Sequence, residues 1–404
     1  MLESADRIHG GLGRAPKFPS PPSLELLTAA LDFLDEEEAR STARFLSLTA
    51  REMARRGLYD QLGGGFHRYC VDASWTLPHF EKMLYDQGQL LSVYAELARR
   101  SHDVDDLVWP IRETVDYLRR EMRTGNGTYC ASQDADSEGV EGRFFVWTPE
   151  EIEEVLGEEA DAFCSAYGVR PGGNFENGTT HLVDEARAPR PRFAEARARL
   201  LARRSTRVPP ATDPKQVTAW NGHVISGLAR ASAVTGDVSM LEDAARAARF
   251  ILDEMIDAQG RLQRIHDERG ARIPAFLDDH AALLEACLDL QRAGAGNRFL
   301  EPAVWLAREI LERFADRATG TLYLTASDGE TFIYRPQSEP DGATPDPAGL
   351  ALLGLSRLAA LSGAREIDAF VERAIHGRGL HLERAPQAFP TLLRAVALRA
   401  RGMA

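Results

Sequence analysis

A chain of 404 residues, 44% hydrophobic and 27% charged, has the composition of a globular protein large enough to bury a sizeable core. No apolar run approaches the ~20 residues that span a bilayer, which excludes a transmembrane helix. A formal charge of -13 repels phosphate backbones and anionic membranes, so neither nucleic acid nor a membrane is an expected partner, while a neutral ligand such as a sugar stays open.

Residues 1–13 carry neither a basic nor an apolar leader segment, and the expected location is cytoplasmic. Apolar residues then recur at helical spacing, as in Leu24, Leu27, Leu31 and Leu34. This period predicts helices over 21–34, 37–56, 81–100, 108–123, 189–204, 214–235, 239–258, 278–294, 299–317, 346–362, 366–378 and 388–401. Between helix pairs, segments alternate polar and apolar residues around Gly-rich or acidic turns. They predict β-hairpins at 64–75, 127–147, 260–274 and 320–334, with a fainter segment at 379–390.

The hairpins are spaced by one or two units of roughly sixty residues, which is a repeat of helix, turn, helix and hairpin. Six such units predict an all-α (α/α)6 toroid, an inner ring inside an outer one, with short hairpins on one face. An open solenoid shares the periodicity, but long loops on one side favour closure. The toroid is expected as a single domain over 1–404 with an insertion around 149–210, where Pro171-Gly-Gly-Asn and Pro189-Arg-Pro-Arg break the pattern. Cys70, Cys130, Cys164 and Cys287 form no Cys-x-x-Cys pair and read as scattered thiols, and no cofactor is expected.

The densest polar and aromatic run covers 62–87. A helix starting at 81 places His79, Glu81 and Lys82 near a first turn, where unpaired amides stabilise negative charge, and puts Lys82 and Asp86 on one face. One reading is an N-cap region beside a structural hairpin. The other makes Asp86, Glu81 and His79 acid or base candidates in a pocket, with His67, Arg68, Trp75 and Lys82 binding the substrate. A second run, from Ser132 to Trp147, opens like a calcium loop at Asp134, Asp136 and Glu138. Its twelfth position is Phe145, where a bidentate carboxylate is required, so no metal site is expected. Asp134 and Asp136 are then an acidic hairpin tip or pocket groups.

Two later helix starts repeat the pairing of an aromatic or acidic group with a hydrogen-bonding one: Trp220 with Asn221, and Asp278-Asp279-His280. They add Asp279 as an acid/base candidate and Trp220, Asn221 and His280 as binding candidates, with Trp147 as a further aromatic face. Aromatic faces with carboxylates suit a pyranose, which has apolar faces and hydroxyl edges. The chemistry is either glycoside hydrolysis by two carboxylates or epimerisation or isomerisation by an acid/base pair.

Gly10-Gly-Leu-Gly-Arg-Ala-Pro-Lys-Phe-Pro, Gly63-Gly-Gly-Phe-His-Arg-Tyr, Pro78-His-Phe-Glu-Lys-Met-Leu-Tyr-Asp, Glu141-Gly-Arg-Phe-Phe-Val-Trp-Thr, Trp220-Asn-Gly and Asp278-Asp-His stand in order along nearly the whole chain. Together they resemble the family of spermatogenesis-associated protein 20 and its bacterial thioredoxin-domain-containing relatives. The resemblance implies an α/α barrel like those of six-hairpin glycosidases and N-acylglucosamine 2-epimerase-like proteins, and fixes no single reaction. Family members also carry an N-terminal thioredoxin-like domain, which is expected to be absent here. The alternative to a carbohydrate-active enzyme is therefore a non-catalytic binding module for a separate thioredoxin-like protein. This chain departs from the family at Pro345-Asp-Pro-Ala-Gly and at His280, and the first departure puts a late pocket loop in doubt.

Overall fold

Helix starts along this chain are set by side-chain caps and prolines. Asp35 accepts the N–H groups of Glu37 and Glu38, Thr148 and Glu151 form a reciprocal capping box ahead of Pro149, and Asp346 accepts from Ala348 and Gly349 ahead of Pro347. The computed structural model describes residues 1–101, 104–330, 333–337 and 340–402. Its helices begin with α1 (Pro21–Ala30), α2 (Glu36–Arg55), α3 (Leu84–Arg100) and α4 (Asp105–Tyr117). The next are α5 (Pro149–Leu156), α6 (Ala160–Ala166), α7 (Ala194–Arg204), α8 (Thr218–Thr235) and α9 (Val238–Glu254). The series ends with α10 (Leu277–Arg292), α11 (Leu300–Glu309), α12 (Pro347–Ser362), α13 (Arg365–Gly377), α14 (Gly379–Arg384) and α15 (Pro390–Ala400).

Six of these close a ring. α1 packs on α3, α3 on α8, α8 on α10, α10 on α12, α12 on α15, and α15 returns to α1. The solenoid alternative is thereby excluded, and the fold is the (α/α)6 toroid. α2, α4, α9, α11 and α13 pack outside the ring. The tightest crossing, α3 on α8, depends on two glycines: a Cβ on Gly88 would lie 2.5 Å from the backbone of His223 and Val224, and one on Gly227 would lie 2.5 Å from Gly88 O. The core is one contiguous apolar cluster in which inner helices contribute residues such as Leu90, Leu228, Leu284 and Leu352.

The expected helix over 189–204 is real but is not a ring helix. As α7 it turns Ala196 and Leu200 into a separate cluster with Trp147, Ile152, Phe163 and Tyr167, built by α5 and α6. The segment 379–390 holds the short helix α14 in place of a hairpin.

The strands are short and sit just ahead of inner helices. Lys82–Met83, Ser132–Gln133 and Thr212–Asp213 form one three-stranded sheet before α3, and Gln216–Val217, Gln263–Asp267 and Gly270–Pro274 form another before α8 and α10. Tyr69–Cys70 pairs with Pro78–His79, and Asp136–Ser137 with Val140–Glu141. The predicted hairpin at 320–334 begins with Thr321–Leu322, which pairs back with Ala315–Asp316, while residues 331 and 332 lie outside the described residues. The strand at Lys82 shifts the start of α3 from the expected residue 81 to Leu84 and removes Lys82 from the helix face of Asp86. No helix among the described residues is long and apolar enough to cross a membrane.

Candidate functional site

The loop from 57 to 83 carries the expected site residues His67, Arg68, Trp75, His79, Glu81 and Lys82, and a buried ionic cluster holds it. Asp60 accepts both Nη atoms of Arg204 at 2.8 Å, Lys82 Nζ at 2.9 Å, and the N–H groups of Leu62 and Gly63. Burial alone would raise the Asp60 pKa, but Arg204 and Lys82 hold it well below the usual carboxylate range. Lys82 also donates to Gly64 O and lies 4.2 Å from the Tyr117 ring centre. This lysine therefore fastens the loop from inside.

Where that loop meets the ring, at the N-terminal ends of α1, α3 and α15, a cleft of about 340 Å³ opens. Its walls include Phe18, Arg68, Asp86 and Asp341. Arg68 donates to Glu81 at 2.7 Å, and its backbone N–H is bonded to Glu81 O. Asp86, in the first turn of α3, is 3% exposed and its Oδ2 has no hydrogen-bond partner. Burial raises its pKa well above the usual value; Arg68 pulls against that rise and Glu81 adds to it. Asp341 accepts from the Thr391 hydroxyl and from the Asp346 N–H, and burial pushes its pKa up to about 6. Two carboxyl groups with raised pKa values thus face one cleft beside a guanidinium, the pattern that acid/base chemistry requires.

Of the expected residues, the structure brings Arg68, Glu81 and Asp86 together. Trp220 reaches them indirectly, its ring edge-on to Tyr85 at 5.0 Å. His79 is half-buried, bonded to Glu141 at 2.6 Å and stacked on Tyr69. The other candidates lie elsewhere. Asp134 and Asp136 are exposed on their hairpin. Trp75 is fully buried, its indole N–H donating to His9 O, and Trp147 sits in the separate apolar cluster of α5, α6 and α7, under Arg207.

His67 is enclosed by Phe80, Phe145 and His181, which leaves it neutral. Asn221 clamps the backbone of Tyr129 through both amide atoms. Asp279 accepts from the N–H groups of Ala219 and Phe276 and from Arg264, joining α10 to α8. His280 bonds back to the carbonyl of Phe276, the residue just ahead of α10.

Of the wall residues named above, Phe18 and Asp341 were absent from the candidates read in the sequence. Asp341 precedes the departing 345–349 segment, whose position gave a signal although the residue itself gave none. Phe18 belongs to the N-terminal Lys-Phe-Pro motif, where the buried Lys17 ammonium binds Asp6, Gly10 O and Ala73 O and so presents Phe18 to the cleft.

No protein-family model matches the chain. It is 31% identical to an uncharacterized protein of Caenorhabditis elegans, over 98% of this chain and 60% of that protein. It is 29% identical to spermatogenesis-associated protein 20 of Rattus norvegicus, over 98% of this chain and 56% of that protein. Its homologues are members of the spermatogenesis-associated protein 20 family. The chain spans less than two thirds of the length of these spermatogenesis-associated protein 20 relatives.

In structure it resembles cellobiose 2-epimerase from Bacillus thermoamylovorans (TM-score 0.62, 12% identity, 94% of this chain and 83% of that one). It also resembles a D-mannose isomerase (0.60, 10%, 93% and 81%) and cellobiose 2-epimerase from Spirochaeta thermophila (0.61, 16%, 100% and 91%). At these identities the likeness is one of fold, the toroid shared with sugar epimerases and isomerases.

Proposed function

We propose that the cleft at the N-terminal mouth of the toroid binds a sugar and that Asp86 acts on it as a general acid. The observation that carries this is Asp86, a residue of the cleft wall whose carboxyl is buried with one oxygen lacking a hydrogen-bond partner. A carboxyl whose pKa is raised by burial can donate a proton to a glycosidic or carbonyl oxygen. Asp341, ionised above about pH 6, is the complementary base. Arg68, oriented by Glu81, supplies donors for substrate hydroxyls, and Phe18 supplies an apolar wall. This arrangement serves hydrolysis, epimerisation or isomerisation, and the toroid shared with sugar epimerases supports the carbohydrate class. The cytoplasm is the location this reading assumes.

A panel of mono- and disaccharides, followed by NMR for anomeric or C2 change, tests it. Asp86→Asn is expected to lower turnover by about 10²–10⁴ while leaving binding largely intact. Unchanged turnover in that variant would remove Asp86 from the chemistry. Capture of a thioredoxin-like protein by the chain, equal in wild type and Asp86→Asn and with no sugar turned over, would establish the binding-module alternative instead.

A further inference from the structure

The toroid has a second opening, at the C-terminal ends of its inner helices. There a cavity of about 1160 Å³ takes wall residues from all six. No residue lines both this cavity and the Asp86 cleft. A layer of charge crosses it: Arg230 reaches Asp289 at 2.8 Å and Glu25 at 3.1 Å, Arg357 reaches Glu285 and Asp289 at 2.7 Å each, and Arg394 pairs with Glu25. One network therefore ties α1, α8, α10, α12 and α15 together.

Two features of this cavity exceed what a structural brace needs. Seven arginines against five carboxylates line it, so with every group ionised it is positive by two in a chain whose formal charge is -13. Anions are drawn to such a local excess inside low-dielectric walls. The second feature is Glu285, 4% exposed. Its Oε2 accepts from Arg357, while its Oε1 is buried and has no partner. A buried acceptor without a donor is rare in a folded protein and is satisfied when a ligand brings one.

We propose that this cavity binds a small hydroxylated organic anion, a hydroxyl donating to Glu285 Oε1 and the anionic group facing the arginines. Arg292, exposed in the last turn of α10, is one of them at the rim. The proposal stands apart from the sugar reading of the Asp86 cleft.

A hydroxylated carboxylate and a sugar phosphate share this chemistry, so calorimetry on the full chain would use D-gluconate and D-glucose 6-phosphate, with D-glucose and hexanoate as controls. Saturable binding of either anion is expected, and whichever binds names the anionic group. D-glucose, which lacks the charge, and hexanoate, which lacks the hydroxyls, should bind more weakly. Arg292→Glu should raise Kd about tenfold, and Ala233→Trp, at an exposed position on the cavity wall, should block binding. Asp86→Asn should leave Kd unchanged. A thermal melt checks that both cavity variants fold. No saturable heat with either anion, or equal affinity in wild type and both cavity variants, would overturn the site. Hexanoate binding as tightly as gluconate would overturn the role of Glu285.

Discussion

Asp60→Asn tests whether the ionic cluster under the 57–83 loop is what holds the cleft wall in place. The change keeps shape and removes one negative charge from a site where Arg204 and Lys82 are each 1% exposed. Both cations then lie buried with only neutral acceptors, and one amide N–H₂ must point at a cation. Breaking a buried ion pair from one side costs about 3–5 kcal/mol. With an unfolding entropy of about 2.1 cal/mol/K per residue over 404 residues, that corresponds to a fall in Tm of about 4–6 °C. Urea unfolding followed by circular dichroism measures the free energy, and limited proteolysis within 57–83 measures local loosening. Lys82→Met in the same background should recover part of the loss, because it removes one of the two stranded charges. A loss below about 1 kcal/mol for Asp60→Asn would refute the view that the cluster acts as a neutralised unit, since surface pairs alone give that much.

Gly88→Ala and Gly227→Ala should each destabilise by about 1–3 kcal/mol or more, since the added Cβ meets backbone at 2.5 Å rather than a movable side chain; melting within a degree of wild type would contradict the crossing geometry. His181 and His280 are held neutral by burial, with pKa values lowered to about 4. Between pH 6.5 and 4 the unfolded chain takes up protons that the native state refuses. Stability therefore falls as pH drops through that window, and His280→Gln should flatten the slope measured by urea titration at stepped pH. Asp341 has the opposite sign: its carboxyl, raised to about 6, destabilises the native state as pH rises from about 4 to 6. Asp341→Asn should gain on wild type above pH 6, and an equal difference at pH 4.5 and pH 7 would count against it.

Much of the fold was legible because period and punctuation agree. The Leu24 to Leu34 pattern, the Asp346-Pro347 cap and the hairpin ahead of α10 each follow from local chemistry, whereas Gln216–Val217, read as the start of a helix over 214–235, is a strand. What was misread was set by partners far along the chain. Lys82 looks like a helix N-terminal residue until its ladder partner Gln133 and its counter-ion Asp60 are in view. Helix 189–204 has the right amphipathic stripe for a ring, but periodicity says only that a face is buried, not against which neighbour. Similarly, Asp86 and Asp279 are both acidic residues in the first turn of an inner helix. One has an unpartnered oxygen and the other is saturated by Ala219, Phe276 and Arg264, a difference that no spacing reveals.

The closed ring also explains why its two mouths differ in charge. At the cleft end the inner helices present their N-termini, whose partial positive charges favour carboxylates by about 0.3–1 kcal/mol each. That stabilisation lowers a carboxylate pKa by well under one unit, whereas full burial raises it by up to 3–5 units. Asp86 is therefore raised despite sitting where a helix dipole would lower it, so the direction of its shift is set by burial rather than by the helix end. At the opposite mouth the helices present C-terminal carbonyls, and Arg99, Arg100 and Arg292 occupy last turns where cations are favoured. Dipole complementation accounts for those rim arginines. It does not account for Arg230, Arg357 and Arg394, which lie deeper in the helices and pair with carboxylates on neighbouring inner helices. Six helices pointing the same way thus account for the rim arginines of one mouth, while at the other mouth burial raises the Asp86 pKa against the pull of the helix end.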